Sequence, residues 1–467
     1  MSLESTLHHF LTSYPDSHIL VAYSGGIDSQ VLLHSLANLK KKSLDNTIHI
    51  SNPVSVCHVN HGLSKNAEQW EIFAQQQCDL LDLPLDICRV YVKAKAQHSL
   101  EELARDARYD ALKALITEKI LSNVIVLTGH HSDDQAETFL LALKRGSGLK
   151  GMSAMKQTMP FADALLVRPL LTISRSQIEA YAHDNNLSWI DDESNEDTRF
   201  DRNFIRHQVM PKITERWPSF LKTVNRSAEH CQEAELLLIE LAQQDLNIIQ
   251  LANNALSLDK LQTLSQARFN NLIRYFLGNH GCLMPSKAQL TQLQSQLLAK
   301  TDKAPAVKVG DYWLRRFKNS VYLTGELKNI TEMSLPIKLG EQRLIDKSLI
   351  ELPDGLGQLK FEIKHLCNSI EFTDGKGNAS QHIIAPLLNQ TVSIRFSHNN
   401  PTCIPDYRQH SRSLKKILQE LDIPTWERKR LPFLYYNEEL VAVIGHFVCK
   451  EYIPTETDNV LSATWLK

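Results

Sequence analysis

Between residue 18 and about residue 190, five short apolar runs (18–24, 54–60, 85–92, 124–129 and 165–170) alternate with stretches of helical spacing. The helices are expected to begin near Asp28, Lys65, Leu100, Asp133 and Ser174. A strand, a crossover helix and another strand, repeated, predict an α/β fold: a parallel sheet with helices on both faces. In such sheets ligands bind outside the carboxyl ends of the strands, so the segments just after each run are where chemistry is expected. At 467 residues the chain has room for about three domains, at roughly 150 residues each. The composition changes place the boundaries at 1–215, 216–330 and 335–467. The second segment is Leu- and Gln-rich with apolar residues at helical spacing ("AEHCQEAELLLIELAQQDLNIIQ"), and it ends in strand-like "VKVGDYWLRRFKNSVYLT". The third is a small α+β unit containing the basic helix "RQHSRSLKKILQEL" and strand-like "ELVAVIGHFV".

The first strand end reads "HILVAYSGGIDSQVLLHSL". Two glycines form a tight turn, and a helix opens with Val31, Leu32 and Leu36 inward. Such a junction offers unpaired backbone N–H groups and the positive end of a helix dipole, which suit a phosphate. The lysine of a Walker loop is missing, so Ser24, Ser29 and the amides must hold the anion. Ser-Gly-Gly-x-Asp-Ser resembles the PP-loop of the ATP pyrophosphatases, which cleave ATP between its α and β phosphates and transfer AMP. The resemblance makes Ser24, Gly25, Gly26, Ile27, Asp28 and Ser29 the nucleotide-binding candidates.

Bulk properties narrow the class little. Hydrophobic and charged fractions of 43% and 22% are those of an ordinary globular protein. No basic N-terminal segment with an apolar run and no bilayer-length apolar stretch is found, so a cytoplasmic protein without a membrane partner is expected. The eight cysteines, at 57, 78, 88, 231, 282, 367, 403 and 449, never fall as Cys-x-x-Cys, and neither a zinc ribbon nor an iron–sulfur cluster is suggested. A net charge of -2 neither advertises nor excludes nucleic acid, which responds to local basic surface.

"TGHHSDDQAETFLLALKRGSGLKGM" follows the fourth strand. Ser132 and Gln135 have capping-box spacing, and acidic residues suit a first turn in any case. Helix stabilisation does not account for the crowding of His130, His131, Asp133, Asp134 and Glu137 at one strand end. Asp134 and Glu137 share a helical face and could grip an ammonium group or hold Mg²⁺ beside phosphates. In "HVNHGLS", His58 and His61 are ligands by type, with a plain turn capped by Ser64 as the ordinary alternative. "LEELARDARYDAL" places Arg105 and Arg108 on a helix, where arginines are more often solvated or salt-bridged than catalytic. In "DDESNEDTRFDRNFIRHQVMP", Arg202 and Arg206 share a face after an acidic loop and suit phosphate or carboxylate.

Taken in order, SGGIDS, HVNHGLS, LARDARY, HHSDDQAETFLL with RGSG, RPLL, D-x-S-N and RN-x-IR resemble the tRNA-isoleucine lysidine synthetase family. The likeness is dense over 1–215 and looser through to "LKKILQELDIPTWERKRLPFLYYNEELVAV". It implies a PP-loop catalytic domain at 1–215, a helical middle domain at 216–330 and a C-terminal tRNA-binding domain at 335–467. The implied reaction is ATP-dependent attachment of free L-lysine to C2 of the wobble cytidine in the CAU anticodon of tRNA(Ile), through an adenylated tRNA. Implied cofactors are ATP and Mg²⁺, with Asp28 and Asp133 as metal candidates. Implied roles are lysine selection by Asp134 and Glu137, and binding of the lysine carboxylate or of AMP by Arg202 or Arg206. His58 and His61 would flank the nucleotide. Arg105, Arg108, Lys144, Arg145, Arg412, Lys415 and Lys416 would meet the tRNA, together with Arg408, Arg428, Lys429 and Arg430, and Trp426 would stack or join the core. A homodimer is compatible with the resemblance.

The sequence departs from the family pattern at Glu193, where proline is usual, and at "RFSHNN" (395–400), where a Gly-Gly-Glu type turn is expected. Two other enzyme classes share the first motif. A tRNA thiolase would need reactive or cluster-binding cysteines, and a small-molecule ligase such as NAD or GMP synthetase would not need the basic C-terminal unit. A non-catalytic tRNA-binding protein would lack Asp134, Glu137 and the loop serines, all of which are present.

Overall fold

The computed structural model describes residues 3–44, 51–92, 100–119, 121, 123–299, 305–337, 348–365, 380–455 and 458–466; Cys367 lies outside them. The chain divides into two compact units, Met1–Glu240 and Leu241–Lys467.

The first unit contains α1 (Leu3–Thr12), β1 (His18–Ala22), α2 (Ile27–Leu44), β2 (Val54–Asn60), α3 (Ala67–Leu80), β3 (Leu85–Arg89), α4 (Leu100–Glu118), β4 (Val124–Leu127), α5 (Ser132–Lys144), α6 (Leu149–Met152), β5 (Thr158–Phe161), β6 (Ala164–Val167) and α7 (Arg175–Asp184). Its sheet runs β3-β2-β1-β4-β6-β5. The first five strands in that order are mutually parallel, as the alternation predicts. The two-residue period of a strand sorts the side chains cleanly. Ile19, Val21, Ile125 and Leu127 enter one core with Leu32, Leu36 and Ile178. Leu20, Val124 and Val126 enter the other with Leu112, Leu115 and Ile116 of α4. The sheet is thus buried on both faces, which explains why its central strands read as unbroken apolar runs.

Edge strand β5, antiparallel to β6, is not among the expected strands. Three of its four residues are exposed and it contains Pro160, so it carries no apolar run, and only an edge position tolerates that proline. After α7, a 3₁₀ turn at Glu193–Glu196 leads into α8 (Asp201–Phe204), a π turn at Ile205–Val209, α9 (Met210–Arg216) and the long α10 (Phe220–Ile249).

In the second unit the helices Gln266–Asn279 and Lys287–Leu297 pack Phe269, Phe276 and Leu293 against Val307, Leu314 and Val321. Those last three belong to a four-stranded sheet made by 256–257, 306–309, 312–317 and 320–325. Helices therefore share this segment with a sheet. Beyond it lie a five-stranded and a four-stranded antiparallel sheet, whose facing residues Phe361, Ile394, Tyr436 and Leu461 form a common core. The basic helix spans only Leu414–Glu420. Arg412 and Ser413, expected inside it, instead pair as a short strand with Thr402 and Cys403. No helix among the described residues is long and apolar enough to cross a membrane.

Candidate active site

The loop after β1 is closed by its own serines. Ser24 Oγ lies 3.0 Å from Ser29 Oγ, the Ser24 amide donates to Ser29 Oγ (3.2 Å), and Ser29 Oγ donates to the Gly26 carbonyl (2.9 Å). Gly25 takes φ +85°, and a Cβ there would sit 2.7 Å from Ile190 Cδ1, so both backbone and space call for glycine. Its carbonyl accepts from the Ile190 amide (2.9 Å), which ties the loop to the segment after α7. Asp28 follows on the first turn of α2.

The loop after β4 presses against that first turn. A Cβ on Gly129 would meet backbone of Asp28 and Ser29 at 2.9–3.1 Å, so only glycine lets the two strand ends approach this closely. Next comes buried His131, surrounded by carboxylates: its Nε2 is 3.6 Å from Asp28 and 3.5 Å from Asp134, and its Nδ1 is 3.7 Å from Asp133. Burial opposes its charge, but these three carboxylates outweigh burial and raise its pKa. Asp28 is pushed up by burial despite His131 and Arg175. Asp133 and Asp134 shift down: burial opposes this, but His131 and further hydrogen bonds prevail at Asp133, and His131, Arg202 and His130 prevail at Asp134.

The capping box expected of Ser132 and Gln135 does not form. His131 is the N-cap residue, and Asp134 takes the reciprocal position by accepting from the His131 amide (3.0 Å). Ser132 Oγ instead donates to Asp133 (3.0 Å), and Gln135 Nε2 to the Met155 carbonyl (2.8 Å). The local competition is decided by a carboxylate, a stronger acceptor than an amide. At "HVNHGLS", likewise, Asn66 rather than Ser64 is the N-cap, and Ser64 Oγ accepts from the Asn66 amide (3.1 Å).

Arg202 and Arg206, four residues apart across the start of the π turn, lie over Asp134 and Glu137. Arg202 donates to Glu137 (2.8 Å) and Asp134 (2.9 Å); Arg206 donates to both Glu137 oxygens (2.7 and 2.9 Å) and to Asp134 (3.1 Å). The side chain of Glu137 is only 2% exposed, against 24% and 33% for the arginines, so the cations form the accessible edge and the carboxylates their base. Arg175 was not singled out by sequence. It donates through Nη1 to both Asp28 oxygens (3.0 and 3.1 Å), and its amide donates to Asp133 (3.0 Å). Its sequence context, the first residue after a helix cap, carries no signal of that role. Gly129 could have been found as a glycine directly after a buried strand. Asp28 after β1 and Asp133, Asp134 and Glu137 after β4 thus gather with Arg175, Arg202, Arg206 and His131 at two adjoining strand ends, and Arg175 Nε also donates to Glu179 (2.8 Å).

His58 and His61 lie beside the loop rather than in this cluster. His58 Nδ1 is 3.0 Å from the Tyr23 carbonyl, while neither ring nitrogen of His61 has a hydrogen-bond partner among the described residues. Burial, then the Arg108 charge, then His58, push His61 down to about 4. Arg108 also faces His130, which burial pushes down to about 4. Arg105 is exposed. Lys144 and Arg145 are exposed at the end of α5, with Lys144 2.5 Å from Asp201. Glu193 accepts from Asn66 Nδ2 (2.9 Å) and starts the 3₁₀ turn that Asp192 caps, so a side-chain tether stands where the family's proline would stiffen the loop. Arg412 and Arg408 both bind Glu420, whereas Lys415 and Lys416 are exposed.

For a divalent cation, Asp28 and Asp133 offer hard oxygen donors on either side of His131. Mg²⁺ typically takes one or two carboxylates plus phosphate oxygens, so the donor set fits. No group of three or more His, Cys, Asp or Glu residues able to hold a metal by itself is present among the described residues.

A serine- and glycine-built anion loop at the first strand end of a parallel sheet, facing a carboxylate–arginine cluster, defines a PP-loop nucleotide-dependent protein. A PP-loop domain model matches residues 1–213, a TilS substrate binding domain model 256–322 and a TilS substrate C-terminal domain model 392–465. The chain is 42% identical to the tRNA(Ile)-lysidine synthase of Edwardsiella ictaluri, covering 93% of this chain and 91% of the relative. It is 42% identical to that of Serratia proteamaculans and 40% to that of Vibrio atlanticus, each pairing covering 96% of both chains. The chain belongs to the tRNA(Ile)-lysidine synthase family.

Proposed function

We propose that this protein uses ATP to attach free L-lysine to C2 of the wobble cytidine in the CAU anticodon of tRNA(Ile), giving lysidine. The observation that carries this reading is the joining, at the adjoining ends of β1 and β4, of an anion loop with a cluster that offers both charges of an amino acid. Expelled directly, the C2 oxygen of cytosine is a very poor leaving group. In the first step that oxygen attacks the α-phosphorus of ATP and pyrophosphate leaves. Ser24, Ser29 and the amides of Gly25 and Gly26 hold the departing phosphates at the positive end of α2. Mg²⁺, held by Asp28 and Asp133, would neutralise phosphate charge.

In the second step the lysine amine attacks C2 and AMP leaves. Lysine carries a carboxylate and two ammonium groups, so it can exchange into the existing ion pairs: its carboxylate replaces a protein carboxylate on Arg202 or Arg206, and its ε-ammonium takes the vacated place on Asp134. The same carboxylate then helps remove a proton, since an ammonium is not a nucleophile. Glu137, deeper in the cluster, keeps the arginines in place. His58 and His61 flank the nucleotide, and Arg105, Arg108, Lys144 and Arg145 meet the tRNA. The 335–467 segment, with Lys415 and Lys416 exposed, grips the tRNA backbone. A cytoplasmic location follows from the substrate.

The test incubates the protein with ATP, Mg²⁺, labelled lysine and CAU-anticodon isoleucine or methionine tRNA. Label in the isoleucine tRNA alone, dependent on ATP and stable to mild base, is expected. Pyrophosphate release without label in either tRNA would overturn the assignment.

A further inference from the structure

In the second unit, several of the basic residues are already paired with carboxylates. Arg408 and Arg412 share Glu420, Arg430 is buried against Asp354 (2.7 Å), Arg395 binds Glu438 (2.7 Å) and Lys318 binds Asp422. A cation already paired adds little net attraction for a phosphate. Two cations without such a partner among the described residues lie together where the strands 306–309 and 312–317 meet the segment after Ile423. There a cleft of about 290 Å³ is lined by Pro305, Ala306, Arg315, Thr425, Trp426 and Lys429, none of them acidic.

Its chemistry is specific. The Arg315 guanidinium lies 5.0 Å from the centre of the Trp313 ring and 5.8 Å from that of Trp426, and its Nε donates to Thr324 Oγ1 (2.9 Å). No carboxylate among the described residues pairs with it, and burial pushes its pKa down, as expected of a cation with no counter-charge. Lys429 is exposed beside it and likewise has no acidic partner among the described residues. Trp426 is half-buried, and Phe317 and Tyr322 meet it at 83° and 68°, so neither ring stacks flat upon it.

We propose that this cleft binds one unstacked nucleotide of the RNA substrate, its base on the Trp426 indole and its phosphate on Arg315 and Lys429. An aromatic platform with adjoining cations is how proteins hold single-stranded nucleotides without reading sequence. The volume suits a single nucleotide and excludes a duplex. The charge is complementary to RNA and, unlike that of Arg408, Arg412 and Arg430, is not already spent on the protein's own carboxylates. The inference rests on the reading of this chain as a tRNA-modifying enzyme and adds a contact point remote in the chain from the residues of the candidate active site.

The test measures binding of the full chain to the isoleucine tRNA transcript, with ultraviolet cross-linking to locate the contact. Trp426→Leu, which keeps apolar bulk, is expected to weaken binding roughly tenfold, and Trp426→Phe to recover most of the loss. Lys429→Glu should weaken binding and lower the salt dependence by about one ion. Cross-links are expected in the peptide containing Trp426. Wild-type affinity in both Trp426→Leu and Lys429→Glu overturns the proposal. So does protection of Lys429 from acylation by a poly-glutamate peptide but not by tRNA. Failure of lysidine formation with cross-link and affinity losses intact would remove the enzymatic reading and leave the cleft. Lysidine formation with unaffected variants would do the reverse.

Discussion

The ion pairs of the N-terminal cluster and those on the Leu414–Glu420 helix use the same residue types and differ in what water does to them. Glu137, with 2% of its side chain exposed, holds two arginines at the base of a pocket; Glu420, 36% exposed, holds two arginines at the surface. Buried charge is tolerated only when fully paired, and breaking such a set leaves uncompensated charge behind. A surface set is screened and nearly dispensable. The first arrangement therefore fixes positions for chemistry, while the second can only tune charge.

The largest expected effect comes from the contact that builds the first arrangement. Gly129→Ala would push backbone against Asp28 and Ser29 and displace the loop from the cluster. A loss of about a hundredfold in tRNA-dependent pyrophosphate release is expected, since small misplacements of reacting groups cost that much; near wild-type turnover would break the link between the two strand ends. Next, Glu137→Gln should destabilise the protein by about 3–5 kcal/mol in denaturant unfolding, as for a broken buried ion pair. Glu420→Gln should cost about 0–1 kcal/mol. Equal losses would erase the comparison.

The histidines sharpen it through pH. Because His61 falls to about 4 when folded, from 6.5, the unfolded chain takes up a proton that the native protein refuses. Stability contributed by neutral His61 is complete above 6.5 and is lost as pH falls from there towards 4. His131, raised, acts in the opposite sense: its contribution is complete below 6.5 and is lost as pH rises through its folded value. Thermal melts of His61→Asn should lose up to about one proton of acid-side slope, while His131→Asn flattens the alkaline side. The smallest effect belongs to Lys415→Glu or Lys416→Glu, each expected to lower the salt slope of tRNA binding by about one without changing pyrophosphate release.

Much of the first unit was legible because its signals are local. Strands buried on both faces leave apolar runs, and a glycine pair followed by a helix leaves a loop. The crowding of Asp133, Asp134 and Glu137 also followed from their place after one strand, whereas Asp28 was set beside Asp133 only by the family resemblance. Three features were not legible, each for a physical reason. Edge strand β5 buries only Phe161, too little to mark it by alternation. Arg175 reaches Asp28 across the fold, a contact no local spacing encodes. That Arg202 and Arg206 share a face was legible, but their pairing with Asp134 and Glu137, some 65–72 residues away, is a contact no local spacing encodes. In the second unit basic residues were read as one surface, but only their carboxylate partners, distant in sequence, show which cations remain available.

Two adjoining strand ends perform two successive steps, activation at the serine loop after β1 and amine attack at the carboxylate–arginine cluster after β4. The most direct measurement is a single-turnover reaction of enzyme, ATP, Mg²⁺ and isoleucine tRNA, following pyrophosphate and AMP separately, with lysine withheld and then added. Pyrophosphate release without lysine, with AMP released only on its addition, is the predicted result. Pyrophosphate release that waits for lysine, or AMP release without it, would contradict the two-step account.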